Sequence, residues 1–242
     1  MTTIGNNIQL VRARMAQACE RAGRPPASVA LLAVSKTFGP EAVYAAAQAG
    51  QRAFGENYIQ EAVEKMAAVR ALPPLPAPAL EWHCIGPIQS NKTRLVAEHF
   101  DWAHTVDRLK TAQRLSDQRP AHLPPLMVCI QVNVDGGATK SGVPPEEAVA
   151  LARAVAQLPR LQLRGVMSIP DPAPDFEAQC ALHRRVRAVF DAILAAGGAG
   201  LEAFDTLSLG MTADLEAAVQ AGSTLVRVGS GIFGARSYAQ AG

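Results

Sequence analysis

"LMVCIQVNVDGGATKSGVPPEEAVALARAVAQL", residues 126–158, decides the fold. Its first nine residues are almost wholly apolar and rich in β-branched side chains, as expected of a strand buried on both faces. The Gly-rich "DGGATKSG" that follows cannot extend either kind of regular element. "PPEEAVALARAVAQL" then opens with prolines and an acidic first turn, and its apolar residues recur at helical spacing. A strand, a loop and a helix that carries the chain back imply parallel pairing with the next strand.

The unit recurs in both directions. Toward the N-terminus, "VALLAVSK" (29–36) precedes the helix "PEAVYAAAQAG" (40–50), and "RAFGEN" (52–57) precedes "YIQEAVEKMAAVRAL" (58–72). "EWHCIG" (81–86) leads to "SNKTRLVAEHF" (90–100), with Ser90 as the expected N-cap, and "WAHTV" (102–106) leads to a helix beginning at Asp107. Toward the C-terminus, "LQLRGVMSI" (161–169) and a proline-rich loop precede the long helix 176–197. "TLSLG" (206–210) precedes "TADLEAAVQAG" (212–222), and "STLVRVGSGIFGAR" (223–236) supplies the last strand. An additional helix, with Ile4, Ile8, Val11 and Met15 on one face, comes first. Eight such repeats in 242 residues point to a single (β/α)8 barrel over 1–242, a fold of typically about 250 residues. An open doubly wound sheet shares the alternation and is the alternative. The stiff "PPLPAPAL" (73–80) joins a helix to a strand, so it belongs on the face opposite the strand C-termini.

Composition narrows the function. Charged residues make up 18%, the net charge is +2, and the only basic cluster is the short "HRRVR" at 183–187, so nothing calls for nucleic acid or an anionic membrane. Cys19, Cys84, Cys129 and Cys180 lie far apart and form no metal-ligand spacing; free thiols suit a reducing cytoplasm. The N-terminus lacks a signal-peptide apolar core, and no stretch is long and apolar enough to span a membrane.

In such barrels chemistry collects where strands end. Lys36 ends the first strand, and parity sets it on one side with Leu32 and Val34. An amine at the rim of an apolar interior has a lowered pKa and suits imine chemistry; the plainer reading is a lysine reaching into solvent. After the last strand, Gly229, Ser230 and Gly231 open a short helical turn that could take an anion or could simply be a turn. Ser208 ends strand seven and could donate to the same anion, whereas Thr212 reads as the cap of the next helix. Arg227 shares a side with Leu225 and Gly229, within a strand, where it needs either a ligand or an internal salt bridge. A lysine for an aldehyde, an anion cradle and an arginine for a ring nitrogen together match pyridoxal 5′-phosphate, PLP. A guanidinium beside that nitrogen opposes its protonation, which leaves racemase-type proton transfer or no turnover.

"LLAVSKT", "FGENYIQE", "EWHCIGPIQSNK", "KSG", "SLGMTADLEAA" and "GSTLVRVGSGIFGAR" together resemble the pyridoxal phosphate homeostasis proteins over nearly the whole chain. The resemblance implies a single barrel like the N-terminal domain of alanine racemase. It implies that Lys36 forms the internal aldimine, with Arg227, Gly229, Ser230, Ser208 and Asn57 around the cofactor. Thr212 and Gly231 depart from residues common in the family; the second removes any hydroxyl at that position. His83 shares parity with Glu81 and Ile85 and either faces the site or is satisfied within the structure; Met167 either packs on the cofactor or belongs to ordinary core. Lys140 belongs to a lid or to a solvated loop.

The function implied by the resemblance is a cytoplasmic, monomeric carrier of PLP in vitamin B6 and amino-acid homeostasis, with PLP-dependent apoenzymes as possible recipients. The alternative is an amino-acid racemase. That reaction needs a second base, and Tyr44, Tyr58 and Tyr238 are the available tyrosines, with Tyr58 nearest a strand end. Ending at Gly242, the chain is expected to lack the further β-domain of alanine racemases, and with it their dimer contact. A third reading keeps the barrel but gives it another phosphorylated metabolite, with Lys36 as a counter-ion.

Overall fold

A computed structural model of the chain describes residues 2–136 and 141–234. Lys140 and Tyr238 lie outside the described residues. The elements run α1 (Thr3–Arg21), β1 (Ala30–Val34), α2 (Pro40–Gln48), β2 (Ala53–Glu56), α3 (Ile59–Arg70), β3 (Glu81–Cys84), α4 (Thr93–His99), β4 (Trp102–Val106) and α5 (Leu109–Gln118). They continue with β5 (Leu126–Gln131), α6 (Pro145–Ala156), β6 (Leu161–Met167), α7 (Phe176–Ala196), β7 (Thr206–Ser208), α8 (Leu215–Gln220), β8 (Leu225–Val228) and α9 (Ser230–Phe233).

The eight strands pair in sequence order, all parallel, and β8 returns to β1, with Leu32 opposite Arg227 and Ala33 opposite Val228. That pairing excludes the open doubly wound sheet. Two shells of packing follow from strand parity. Outward-facing residues such as Phe54, Val128, Ile130, Val166 and Leu207 meet the helices in one extensive apolar layer. Inside the barrel, Leu32, Val34, Ile85 and Leu225 fill one part, while Trp102, Cys129 and Met167 fill another. Each fully buried aliphatic side chain contributes roughly 1.5–3 kcal/mol relative to exposure. Polar groups run between these clusters, because His83, His104, Ser208 and Arg227 are also buried.

The first helix is more than an appendage. Thr2 caps it by accepting from the Gly5 N–H at 3.1 Å, and Ile8, Val11 and Met15 are buried, as their spacing predicts. It packs on α8 and α9. Asn7 donates to the Ile232 carbonyl at 2.8 Å, and Arg14 forms a two-pronged pair with Glu216, both contacts 2.9 Å.

Three local expectations change. Strand β1 ends at Val34, so Lys36 sits two residues beyond it, in a turn closed by the Phe38 N–H on the Ser35 carbonyl (3.1 Å) and containing Thr37 at φ 68°. Helix α4 begins at Thr93 rather than at a Ser90 cap: Ser90 uses its carbonyl to accept the Thr93 hydroxyl at 3.0 Å, inside a preceding turn. Thr212 does not cap α8, which starts only at Leu215; the turn before it is held by the Asp214 carboxylate, which accepts from the Met211 N–H at 2.6 Å.

Where β6 meets β7, a Cβ at Gly165 would overlap the Thr206 carbonyl oxygen. Gly165→Ala is therefore expected to destabilise the barrel by about 1–3 kcal/mol, the usual cost of overpacking. Thermal denaturation checks this; an unchanged Tm would mean that the two strands stand further apart than described.

Candidate functional site at the barrel mouth

Beyond the strand C-termini lies a cavity of about 270 Å³. Lys36, Asn57, Arg227, Gly229 and Ser230 all line it, together with Val34, Phe38, Ile169, Met211 and Thr212. A second, more polar cavity of about 260 Å³ adjoins it through Asn57, Ile85 and Ile169, and extends past Gln131, Asn133, Asp135 and Ser168. Lys36 itself is half-buried.

The residues before Lys36 and Asn57 are pinned from behind. Glu56, fully buried, accepts from the Ser35 hydroxyl at 2.6 Å and from Lys65 Nζ at 2.8 Å. Lys65 also donates to the Ser35 carbonyl at 2.9 Å and pairs with Glu61 at 3.1 Å. Burial pushes the Glu56 carboxyl up, against the pull of Lys65, so the pair is costly to bury and strongly directional once formed. Its effect is to fix the backbone that presents Lys36 and Asn57.

Arg227 reaches the cavity from inside the barrel. Its Nη1 donates to the Ser208 carbonyl and to Ser208 Oγ, both at 2.7 Å, and its Nη2 donates to the Ser168 carbonyl at 2.9 Å. Among the described residues no carboxylate pairs with it; Asp214 acts on it only through its field. Burial pushes the guanidinium down to about 10, which still leaves it charged at neutral pH. Three of its five N–H bonds are committed to the protein, and two have no partner among the described residues.

The anion cradle forms where β8 ends. Gly229 comes so close to β1 that a Cβ there would press on the Val34 carbonyl oxygen at 3.2 Å. Ser230 Oγ donates to Thr212 Oγ1 at 3.3 Å, which brings two hydroxyls together beside the first N–H groups of α9. Arg14 donates to the Thr212 carbonyl at 3.1 Å and so braces that loop from α1. Asn57 completes the wall with a buried carboxamide oxygen that has no partner among the described residues. An unpartnered amide, two uncommitted guanidinium N–H groups, paired hydroxyls and a half-buried amine fit a ligand with an aldehyde, a ring acceptor and a phosphate.

Three further residues named from the sequence lie beneath the cavity. Ser208 is fully buried and uses its hydroxyl on Arg227 and on His104 Nδ1, 3.1 Å away. His83 stacks on Trp102 at 5.1 Å and hydrogen bonds to Glu81 at 2.7 Å and to His104 at 2.8 Å. Met167 packs against Trp102 and Cys129 inside the barrel. Sequence reasoning missed Phe38, Ile169, Met211 and His104, and it read Thr212 only as a cap. The one available signal was that Thr212 follows strand seven, as Ser230 follows strand eight. Of the described tyrosines, Tyr44 lies on α2 and Tyr58 stands exposed at the start of α3; neither lines the cavity. Burial pushes the Cys84 and Cys129 thiols up to about 12, and among the described residues no group of three or more His, Cys, Asp or Glu could hold a metal.

Comparison with known proteins agrees with this geometry. The family described as "alanine racemase, N-terminal domain" matches residues 6–237. The pyridoxal phosphate homeostasis protein of Pseudomonas aeruginosa is 57% identical over 238 residues, covering 98% of each chain. That of Escherichia coli K12 is 51% identical over 244 residues, covering 99% of this chain and 100% of its own. Among solved structures, PipY of Synechococcus elongatus with PLP bound matches with a TM-score of 0.81 at 34% identity, over 96% of this chain and 100% of that one. An alanine racemase from Clostridium difficile shares the fold at a TM-score of 0.71 and 15% identity, over 96% of this chain and 57% of that one.

Lys65→Met alone strands the Glu56 carboxylate and is expected to cost about 3–5 kcal/mol. Adding Glu56→Gln should restore most of that loss. Chemical denaturation of the single and double variants checks both; equal stabilities would remove the ion pair from its positioning role.

Proposed function

The chain belongs to the pyridoxal phosphate homeostasis proteins, and from that premise we propose that it holds PLP at the mouth of its barrel and acts as a carrier of that cofactor. The observation that carries the reading is the convergence of Lys36, Arg227 and the Thr212–Ser230–Gly229 cradle on one cavity. In this reading Lys36 is the covalent anchor. The N–H groups opening α9 and the hydroxyls of Ser230 and Thr212 receive the phosphate. Arg227 faces the ring nitrogen, and Asn57 turns its unpartnered amide toward the ring substituents. Ser208 serves from below by fixing Arg227, in place of a direct phosphate contact. Bound there, PLP supplies an aldehyde for condensation with amines and a ring that can withdraw electrons from them.

Two features favour carriage over fast turnover. The buried, charged Arg227 opposes a second positive charge on the ring nitrogen, which weakens the ring as an electron sink. The described tyrosines, which an alanine-racemase-type reaction would need as second base, sit away from the cavity wall. We further propose a cytoplasmic monomer, consistent with four buried free thiols, whose mouth admits free amino acids and whose recipients are PLP-dependent apoenzymes.

Purified protein should be yellow, and borohydride reduction should place the pyridoxyl group on Lys36 by peptide mass mapping. Lys36→Ala is expected to lose covalent attachment almost completely while keeping its Tm, because the side chain belongs to a turn and not to the core. Attachment at another lysine would reassign the anchor. A wild-type chain that stays colourless and unmodified after incubation with PLP would defeat the reading.

A further inference from the structure

A line of polar side chains crosses the barrel from its floor to Arg227, and the mouth chemistry leaves it unexplained. From Arg227 Nη1 it is 2.7 Å to Ser208 Oγ, then 3.1 Å to His104 Nδ1. From His104 Nε2 it is 2.8 Å to His83 Nδ1, and from His83 Nε2 it is 2.7 Å to Glu81 Oε1. All of these groups are buried except Glu81, whose side chain is 43% exposed where β3 begins. We propose that Glu81, His83, His104 and Ser208 form a one-way hydrogen-bond chain that positions Arg227 and couples it to a carboxylate at the opposite end of the barrel.

The two ends dictate the direction. A guanidinium can only donate and a carboxylate can only accept. Arg227 therefore gives to Ser208, Ser208 to His104 Nδ1, His104 Nε2–H to His83 Nδ1, and His83 Nε2–H to Glu81. One arrangement satisfies every link, with both imidazoles neutral and protonated on Nε2. Reversing either ring would set two N–H groups, or two lone pairs, face to face at 2.8 Å between two buried side chains.

Charge separates positioning from proton transfer. Burial pushes the Arg227 guanidinium down to about 10, which leaves it charged at neutral pH, and the bond from His83 holds the Glu81 carboxyl below the ordinary carboxylate range. The charged donor and the charged acceptor both keep their states at neutral pH, so no net proton passes along the chain. The chain conveys orientation and field; it does not deliver protons.

Burial, more than the surrounding charges, keeps the rings neutral. His83 faces Glu81 on its own strand, Asp101 just before β4 and His104 on β4, and burial lowers it despite the carboxylates. Burial, His83 and Arg227 together push His104 well down. Arg164 of β6 lies 5.0 Å over the Trp102 ring and is paired with Asp205 at 2.7 Å. Arg227 also feels Asp214 and Cys129. The unfolded chain would protonate both rings near pH ~6.5, whereas the folded chain resists. Stability should fall as pH drops through that value, and the depressed Glu81 adds loss in the same direction at lower pH.

The link to a cofactor rests on the reading proposed above; the chain itself does not, so it is tested first without PLP. Proton–nitrogen correlation spectra of the isotope-labelled full chain at neutral pH should show His83 and His104 neutral, each protonated on Nε2. A charged ring, or a proton on either Nδ1, would overturn the proposal. In PLP-loaded protein, Glu81→Leu should shift the cofactor's absorption maximum and speed PLP release several-fold, while Glu81→Gln, which keeps a carbonyl acceptor for His83, should restore both. Unchanged absorption and release in a folded Glu81→Leu variant would overturn the coupling. Wild-type protein that takes up no PLP would defeat the cofactor reading and leave the imidazole spectra decisive for the chain.

Discussion

Closure of the sheet between β1 and β8 is the constraint on which the site depends. Pairing Leu32 with Arg227 and Ala33 with Val228 sets the ends of the first and last strands side by side. Lys36 leaves one end and Gly229–Ser230 leaves the other, so amine and anion cradle become neighbours although nearly the whole chain separates them. The fit is close enough that Gly229 has no room for a Cβ without crowding Val34. Helix α1 packs on α8 and α9, beside this seam; its Asn7 holds α9 and its Arg14 holds the loop of Thr212, the two segments that build the cradle. The N-terminal helix thus serves the site without touching it.

The barrel interior departs from the usual filling of branched aliphatic side chains. Leu32, Val34, Ile85 and Leu225 follow that pattern on one side, but two histidines, a serine and an arginine occupy the middle. Burying such groups is tolerable only when nearly every donor and acceptor is satisfied. Here the strand-end carbonyls of Ser168 and Ser208 take the guanidinium protons, and the imidazoles satisfy each other. An internal salt bridge would have neutralised Arg227 locally. Carbonyl partners leave its charge in place and directed at the mouth.

Strand and helix alternation, and parity within strands, were legible in the sequence because both are local properties. They grouped Leu32 with Val34 and Arg227 with Leu225, and the structure sets both groups inside the barrel. Element ends were less legible, since they depend on which group completes a turn: Asp214, not Thr212, organises the turn before α8, and the Ser90 carbonyl, not its hydroxyl, receives a proton. The histidine chain was illegible for a different reason. "EWHCIG" and "WAHTV" each show a histidine in a largely apolar strand, but only the register between β3 and β4, which sets His83 opposite Trp102, brings His104 within 2.8 Å. Register is a property of the sheet, and one strand read alone does not contain it.

The two buried ionic systems divide the labour of holding the mouth rigid. Glu56 and Lys65 act from outside the barrel and fix the backbone of the first two strand ends. The line from Glu81 to Ser208 acts from inside and fixes the side chain of the last strand. Both leave polar groups on the cavity wall uncommitted: Asn57 keeps its carboxamide oxygen as an acceptor, and Arg227, though it donates to Ser208 and Ser168, keeps two N–H groups for what enters. A site preorganised in this way does not reorganise when its ligand arrives, which favours retention. Its exposed rim residues Ile169 and Met211 leave the mouth open to solvent, which favours exchange. Tight walls beneath an open mouth suit a protein that holds a reactive aldehyde and must also give it up.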